Sequence, residues 1–308
     1  MENRKHNKIL VTGSNGFVGK ALCQSLQNKG YNYLGSVRNK GLALKSKDYI
    51  VVESLDAKTD WRNALEGCDT VVHLAGRAHI LSDKIADSLA AFRSINTQGT
   101  LNLAEQAAEC GVSRFIFLSS IGVNGDMTSG IPFSPDDVPS PNSPYAVSKL
   151  EAEIGLHRIA SLSTLDVVII RSPAIYGKNA PGNFGLLEKF IRYRIPLPFG
   201  SIDNKRSLVA IENIVSFITA CIDNQSARNG LFFVSDDDDL STSEIVELMG
   251  KLIGKKTITL KFPIKLLWCI FTILGARKAA VSLMSDLQLD VDRSLELLKW
   301  SPPFSPRM

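Results

Sequence analysis

Tyr145 and Lys149 stand four residues apart in SPYAVSKLEAE, residues 143–153. Four residues is about one helical turn, so on a helix the two side chains share a face. A phenol with a pKa of about 10 is a poor proton carrier at neutral pH. An ammonium beside it favours the phenolate and makes proton transfer feasible. Taken alone, the pair fits an ordinary amphipathic helix equally well. A second pattern carries more. VTGSNGFVG places Gly13, Gly16 and Gly19 directly after an apolar strand and at the start of a helix. Glycine there lets the backbone turn tightly and approach a pyrophosphate, which the helix N-terminus then stabilises. With strand and helix both in place, the loop predicts dinucleotide binding.

The elements that must position these residues alternate in type. KILVTG, YNYLGSV, DTVVHLAG, RFIFLSS and LDVVIIRSP read as strands. Helices are predicted over residues 17–29, ended by Gly30; over 86–109, stopped at Gly111; and from Tyr145 to about Ala160. Such alternation means βαβ units, an α/β class and a mostly parallel, doubly wound sheet. Residues 1–172 are expected to form the dinucleotide-binding domain, with about 206–222 returning to it. Residues 173–308 are expected to form a smaller α/β substrate-binding domain. Within it GKNAPGNFG reads as a loop, 185–194 as a helix and RSLVAI as a strand. SDDDDLSTSE reads as a solvated turn, leading to a helix whose Ser241 and Glu244 fit a capping box.

Composition narrows the classes. With 44% hydrophobic and 21% charged residues the chain has an ordinary globular balance, and its net charge of +4 is too small and dispersed for a nucleic-acid partner. The five scattered cysteines (23, 68, 110, 221, 269) predict reduced, buried thiols in a cytoplasmic protein, and they and the four scattered histidines suggest no metal site. The polar start running straight into a strand predicts no signal peptide. LLWCIFTILG, residues 266–275, is too short to span a bilayer and reads as a buried or partner-facing helix, in preference to a membrane-surface contact.

With these motifs in order, the chain resembles the extended short-chain dehydrogenase/reductase superfamily, in its NAD-dependent epimerase/dehydratase branch acting on nucleotide sugars. The resemblance covers nearly the whole length. Besides the glycine loop it rests on HLAG (73–76), Asn96 in NTQGTLNLAE, FIFLSS ahead of the Tyr-Lys pair, and RSPAIYG (171–177). It implies a Rossmann domain whose cofactor contacts include Asn15, Phe17 and Val18 within the loop, Leu74, Ala75 and Gly76, Asn96, Ser119 and Pro173. Superfamily members also carry a serine or threonine about 25 positions before the tyrosine, which points to Ser120; Ser119 reads chiefly as a backbone and packing position. By resemblance Tyr145 exchanges a proton with a sugar hydroxyl, Lys149 holds the nicotinamide ribose and lowers the tyrosine pKa, and Ser120 donates a hydrogen bond to the carbonyl oxygen.

Two departures refine the expectation. Sugar 4,6-dehydratases carry an Asp-Glu pair after the catalytic hydroxyl; here Ile121 and Gly122 stand there, and neither can move a proton. NAD-preferring members carry an acid at the end of the second strand; here Val37 stands there, followed by Arg38, which suits a 2′-phosphate. NADP(H) is therefore expected ahead of NAD(H). For the substrate, the resemblance suggests Arg206 and Asn183 at a nucleoside diphosphate, Pro198 in a short LPFG strand along uracil, and Arg77 facing the sugar. Members with patterns like TDW (59–61), RAH (77–79) and LST (240–242) serve O-antigen or other surface-polysaccharide synthesis. The expected activity is hydride transfer at C4 of a UDP-sugar, with a UDP-4-keto-6-deoxy-hexosamine 4-reductase ahead of a UDP-glucose or UDP-N-acetylglucosamine 4-epimerase. A non-catalytic NADP-binding sensor and a reductase of apolar alcohols are the other readings. A homodimer through the helices at 86–109 and 145–160 is expected.

Overall fold

The computed structural model describes residues 8–39, 41, 46–77 and 87–307. The strands are β1 (Lys8–Thr12), β2 (Asn32–Val37), β3 (Tyr49–Val51), β4 (Cys68–His73), β5 (Arg114–Ser120), β6 (Asp166–Ser172), β7 (Ile175–Tyr176), β8 (Val209–Ala210) and β9 (Leu231–Phe233). Helices are α1 (Phe17–Asn28), α2 (Arg62–Leu65), α3 (Ser88–Phe92), α4 (Thr100–Glu109), α5 (Pro144–Leu162), α6 (Gly182–Arg192), α7 (Ile211–Asp223), α8 (Thr242–Leu252), α9 (Ile264–Ile273), α10 (Arg277–Met284) and α11 (Asp292–Leu298).

Seven strands pair in parallel in the order β3-β2-β1-β4-β5-β6-β9. The order reverses between β1 and β4, which opens a crevice at their C-terminal ends. Strands covered on both faces read as unbroken apolar runs, and β6 is buried at every position. On one face α1 and α7 pack Leu22, Leu26, Ile214, Phe217 and Ile218 against the sheet. On the other, Leu103 and Ala107 of α4 meet Ala152 and Leu156 of α5 over Phe115 and Phe117. Each such fully buried aliphatic contributes about 1.5–3 kcal/mol. A third cluster, with Tyr176, Ile191, Leu208, Leu240, Val246 and Met249, is the core of the smaller lobe.

Several boundaries differ from the sequence expectation. The described part of 86–109 is helical, but Arg93–Gly99 between α3 and α4 is a π-helical segment. Its wide turns serve the site below. Helix α6 starts at Gly182 and not at 185, so Asn183 sits in its first turn. RSLVAI contributes only β8, which pairs with β7 and not with the main sheet. The return to the first domain is made by α7 and by β9, which adds the seventh strand from residues assigned to the smaller domain. Of the cysteines Cys23, Cys68 and Cys221 are buried, while Cys110, just past the end of α4, and Cys269 on α9 are exposed; all five are free thiols. Helix α9 buries only Leu267, so the apolar segment is neither core nor covered by the other described residues.

The acidic run is more than a solvated turn. Ser241 and Glu244 do form the capping box that opens α8. Asp236, however, is buried and accepts hydrogen bonds from the Tyr176 hydroxyl (2.6 Å), the Ala210 N–H (2.8 Å) and the Asn213 amide (2.6 Å). Burial raises its pKa, while these donors pull it down. One carboxylate thus ties β7, β8 and α7 together. Replacing Asp236 by Ala strands three buried donors and should lower unfolding stability by about 2–4 kcal/mol in chemical denaturation. A loss below about 0.5 kcal/mol would mean that the donors find other partners.

Candidate active site

The glycine loop divides its labour by position. Gly13 has φ +67°, and a Cβ there would lie 2.8 Å from the Ala75 nitrogen. A Cβ on Gly19 would sit 2.1 Å from the Gly13 carbonyl oxygen, so this glycine sets how closely α1 packs on β1. Gly16 is different: its Cβ would meet nothing nearer than the Gly13 oxygen at 3.1 Å and otherwise points into open space. That space is continuous. One cleft of about 330 Å³ runs from the loop, with Phe17, Val18 and Leu74, past Ser119 and Ser120 to Tyr145, Lys149 and Pro173. A second of about 780 Å³ shares Gly13, Gly16, Leu74, Gly76 and Arg77 and runs the other way, past Asn15 and Ala75, to Ser36, Val37 and Arg38. A dinucleotide fits this layout, its pyrophosphate over Gly16 and one mononucleotide in each arm.

The reactive arm is built on α5. Ser143 caps the helix by accepting the Ala146 N–H at 3.2 Å, and Pro144 takes the first turn, where its missing N–H costs nothing. Lys149 lies 5% exposed beneath this face. Its ammonium donates to the Leu118 carbonyl at 2.9 Å and sits 4.4 Å above the Phe117 ring. Burial lowers its pKa to about 8, opposed by Glu153 one turn further on. Tyr145 packs edge-on to Phe92 at 5.9 Å. Burial raises the phenol to about 12, and the hydrogen bond with Ser120 only partly offsets this. The expected lowering by Lys149 is therefore not what the chain alone achieves. The ammonium turns toward Leu118 and lies 6.0 Å from the phenol ring centroid. Ser120, on the last residue of β5, accepts the Gly122 N–H at 3.1 Å, which fixes its hydroxyl oxygen at the cleft.

Ser119, and several residues that sequence reasoning missed, hold this arrangement. Ser119 is buried and donates to Glu153, as expected of a packing position, although it also lines the cleft. Glu153 pairs with Arg171 at 2.6 Å, and Arg171 in turn donates to Asn124 at 2.8 Å. His73 is wholly buried. The Ala75 N–H donates to Thr12, whose hydroxyl meets His73 Nδ1 at 2.7 Å; His73 Nε2 meets the Thr100 hydroxyl at 3.0 Å, which donates to the Asn96 carbonyl. This direction of donors assigns the Nε2–H tautomer. Burial, with Lys149 nearby, holds the ring neutral, its pKa lowered to about 3. The histidine was visible in HLAG, but its spacing alone gave no sign of a role.

Asn96 lies behind the cleft and does not line it. Its amide donates to the Arg77 carbonyl (3.1 Å) and to Ser148 (3.1 Å), and it accepts the Arg77 N–H (2.8 Å). The π-helical turns present Asn96 and Thr97 together to α5, with Thr97 donating to the Ser148 carbonyl at 2.8 Å. Asn96 is thus a positioning residue, and Arg77 lines both clefts, its guanidinium 5.6 Å over the Phe92 ring. Three substrate expectations find no place among the cleft-lining residues. Arg206 is buried and donates to the Ser285 carbonyl at 2.9 Å, burial lowering its pKa to about 10. Asn183 is exposed on α6. Pro198 belongs to a turn, because only Leu197 bridges, to Thr259. His79 of RAH lies outside the described residues.

The sequence model of the NAD dependent epimerase/dehydratase family matches residues 9–234. A UDP-glucose 4-epimerase of Vibrio cholerae is 43% identical over 98% of this chain and 93% of its own length. An N-acetyl-alpha-D-glucosaminyl-diphospho-ditrans,octacis-undecaprenol 4-epimerase of Escherichia coli O157:H7 is 28% identical over 90% of this chain and 83% of its own. Among solved structures, a UDP-glucuronic acid 4-epimerase of Bacillus cereus in complex with UDP-glucuronic acid and NAD is 24% identical, with TM-score 0.77 over 97% of this chain and 95% of that one. At that identity the likeness shows the fold.

Two outcomes follow from the geometry. Gly16→Val should weaken dinucleotide binding by at least about 100-fold in calorimetry while the fold survives, since its Cβ faces open space; Gly19→Val should fail to fold, since its Cβ meets backbone. Undiminished affinity in the first variant would remove the loop as the anchor. The second outcome concerns Lys149, whose folded pKa of about 8 lies below its ordinary 10.5. The unfolded state then binds more protons between these values, so stability rises with pH there. Relative to Lys149→Met, the wild type should gain up to roughly 3 kcal/mol across that window in pH-dependent denaturation. A flat difference would contradict the burial argument.

Proposed function

The chain belongs to the NAD dependent epimerase/dehydratase family, and from that premise we propose that it is an NAD-dependent UDP-hexose 4-epimerase. The observation that carries the choice is the 43% identity, over nearly both full lengths, to the Vibrio cholerae UDP-glucose 4-epimerase. It displaces the 4-ketoreductase that the Val37-Arg38 pair favoured. That pair carried the NADP(H) expectation by itself, and Glu53 and Asp56 line the same arm of the cleft as Arg38. Carboxylates there work against a second phosphate. NAD(H) is the cofactor in this reading.

When bound, the oxidised cofactor supplies the hydride acceptor and a positive charge that favours the tyrosine phenolate. The chain's own residues handle the proton. Tyr145 Oη takes it from the C4 hydroxyl as the C4 hydrogen leaves, and returns it after the keto-sugar has presented its other face. Ser120 Oγ donates a hydrogen bond to O4 and stabilises the charge that builds there. Lys149 lines the same cleft beside the tyrosine and would hold the nicotinamide ribose. Ile121 and Gly122 offer no acid or base for loss of water, so the keto-sugar is returned and not dehydrated. The free thiols fit a reducing, cytoplasmic setting. Ile154, exposed on the outer face of α5, fits a homodimer through that helix.

The enzyme should purify with NAD and interconvert UDP-glucose and UDP-galactose with no net cofactor consumption. Tyr145→Phe should lower kcat by about 10²–10⁴ while UDP affinity stays within a few-fold. Stoichiometric oxidation of NADPH by a 4-keto sugar, without interconversion, would establish the reductase instead.

A further inference from the structure

Helices α9 and α10 form a hairpin on the smaller lobe whose apolar surface the other described residues leave uncovered. Eight of the ten α9 residues are apolar or cysteine (IKLLWCIFTI), yet only Leu267 is buried there, and only Ala280 on α10. A helix apolar on every side belongs in an interior or at an interface. The exposure is greatest at the tip, where Ile273 is 84% and Leu274 72% exposed beside the Gly275 turn (φ +67°), with Leu266 and Ile270 continuing the surface along α9.

The hairpin is fixed in place. Asn204 donates to the Ser285 carbonyl at 2.8 Å and Thr242 to the Leu283 carbonyl at 2.6 Å, and Arg206 reaches the same Ser285 oxygen. The buried arginine, read from sequence as a substrate contact, donates to the Ser285 carbonyl and so anchors the end of α10.

Charge identifies what covers the tip. Residues 254–285 hold six cations, Lys255, Lys256, Lys261, Lys265, Arg277 and Lys278, all exposed, and no Asp or Glu. We propose that this hairpin docks the enzyme on an anionic phospholipid surface, the Ile273-Leu274 tip entering the headgroup region and the surrounding cations facing lipid phosphates. Apolar residues flanked by Lys and Arg, without carboxylates, are the composition of an interfacial helix. A second copy of the chain is a poorer cover. A twofold interface there would bring the same cation-rich segment of each copy together with no carboxylate between them. Among the described residues no helix is long and apolar enough to cross a membrane, so the contact is peripheral.

Co-sedimentation of the full chain with vesicles tests this, using phosphatidylcholine alone and phosphatidylcholine mixed with phosphatidylglycerol. The wild type should partition onto the anionic vesicles at least about tenfold better, and lose that preference in high salt. Ile273→Ser with Leu274→Ser, and separately Lys265→Glu with Arg277→Glu and Lys278→Glu, should each cut anionic binding by at least about tenfold with melting temperatures unchanged. Equal or absent binding of the wild type to both vesicle types overturns the proposal. So does a sedimentation-velocity shift from dimer to monomer in the Ile273/Leu274 variant, which would make a second copy the cover. Neither readout depends on the reaction catalysed.

Discussion

A charged ammonium held out of water at the C-terminal end of β5 is the constraint around which the site is built. Lys149 would rather be solvated or neutral, and its pKa falls to about 8 accordingly. What keeps it in place is partial compensation from several directions. The Leu118 carbonyl accepts a hydrogen bond from it, the Phe117 face lies beneath it, and Glu153 supplies a negative charge one turn along the same helix. Each of these partners is in turn fixed by the fold: Leu118 and Phe117 by β5, Glu153 by the buried Arg171 of β6. Moving α5 along the sheet would break all of them together. A group that destabilises the protein thus dictates how helix and sheet must register.

The same logic reaches the cofactor arm. His73 lies below the ammonium and cannot also be charged, so it serves as a neutral relay of hydrogen bonds between Thr12 of β1 and Thr100 of α4. Its chain ends on Asn96, whose amide fixes Arg77 and Ser148. The π-helical turns make this possible, because Asn96 and Thr97 both have to face α5 from consecutive positions. Gly13 and Gly19 bring the loop tightly onto Ala75 and β1, while Gly16 alone leaves room over the helix N-terminus. The glycine loop and the Tyr145-Lys149 face of α5 therefore sit on one connected framework. In the proposed reaction hydride and proton transfer must be coordinated within a few ångströms, and a connected framework suits that demand.

The smaller lobe follows different rules. Its connection to the sheet passes through the buried carboxylate of Asp236 and through β9 and α7, which leave it to join the main domain. Its outer hairpin leaves apolar surface in water, which a monomer in isolation has no reason to do. Arg206 and Asn204 tie that hairpin to the lobe through the Ser285 carbonyl at the end of α10.

The amino-acid sequence by itself determined the α/β class, most strand positions, the glycine loop and the Ser120, Tyr145 and Lys149 set. Those features are local: apolar runs, a turn only glycine can make, and spacings measured along one helix or from one strand end. It did not reveal where the acid and histidine partners lie. Glu153 meets Arg171 across 18 residues and His73 meets Thr12 across 61, and no spacing rule links positions joined only by a sheet crossover. The tyrosine pKa, raised by burial where adjacency to a lysine suggested the reverse, depends on solvent exclusion by Phe92 and the sheet. Arg206 could be recognised by type and context, but its direction was set by a carbonyl 79 residues away. The apolar run at 266–275 read as a buried or partner-facing helix, because composition does not record which faces find a neighbour within the chain. Only the packed chain showed that this one does not.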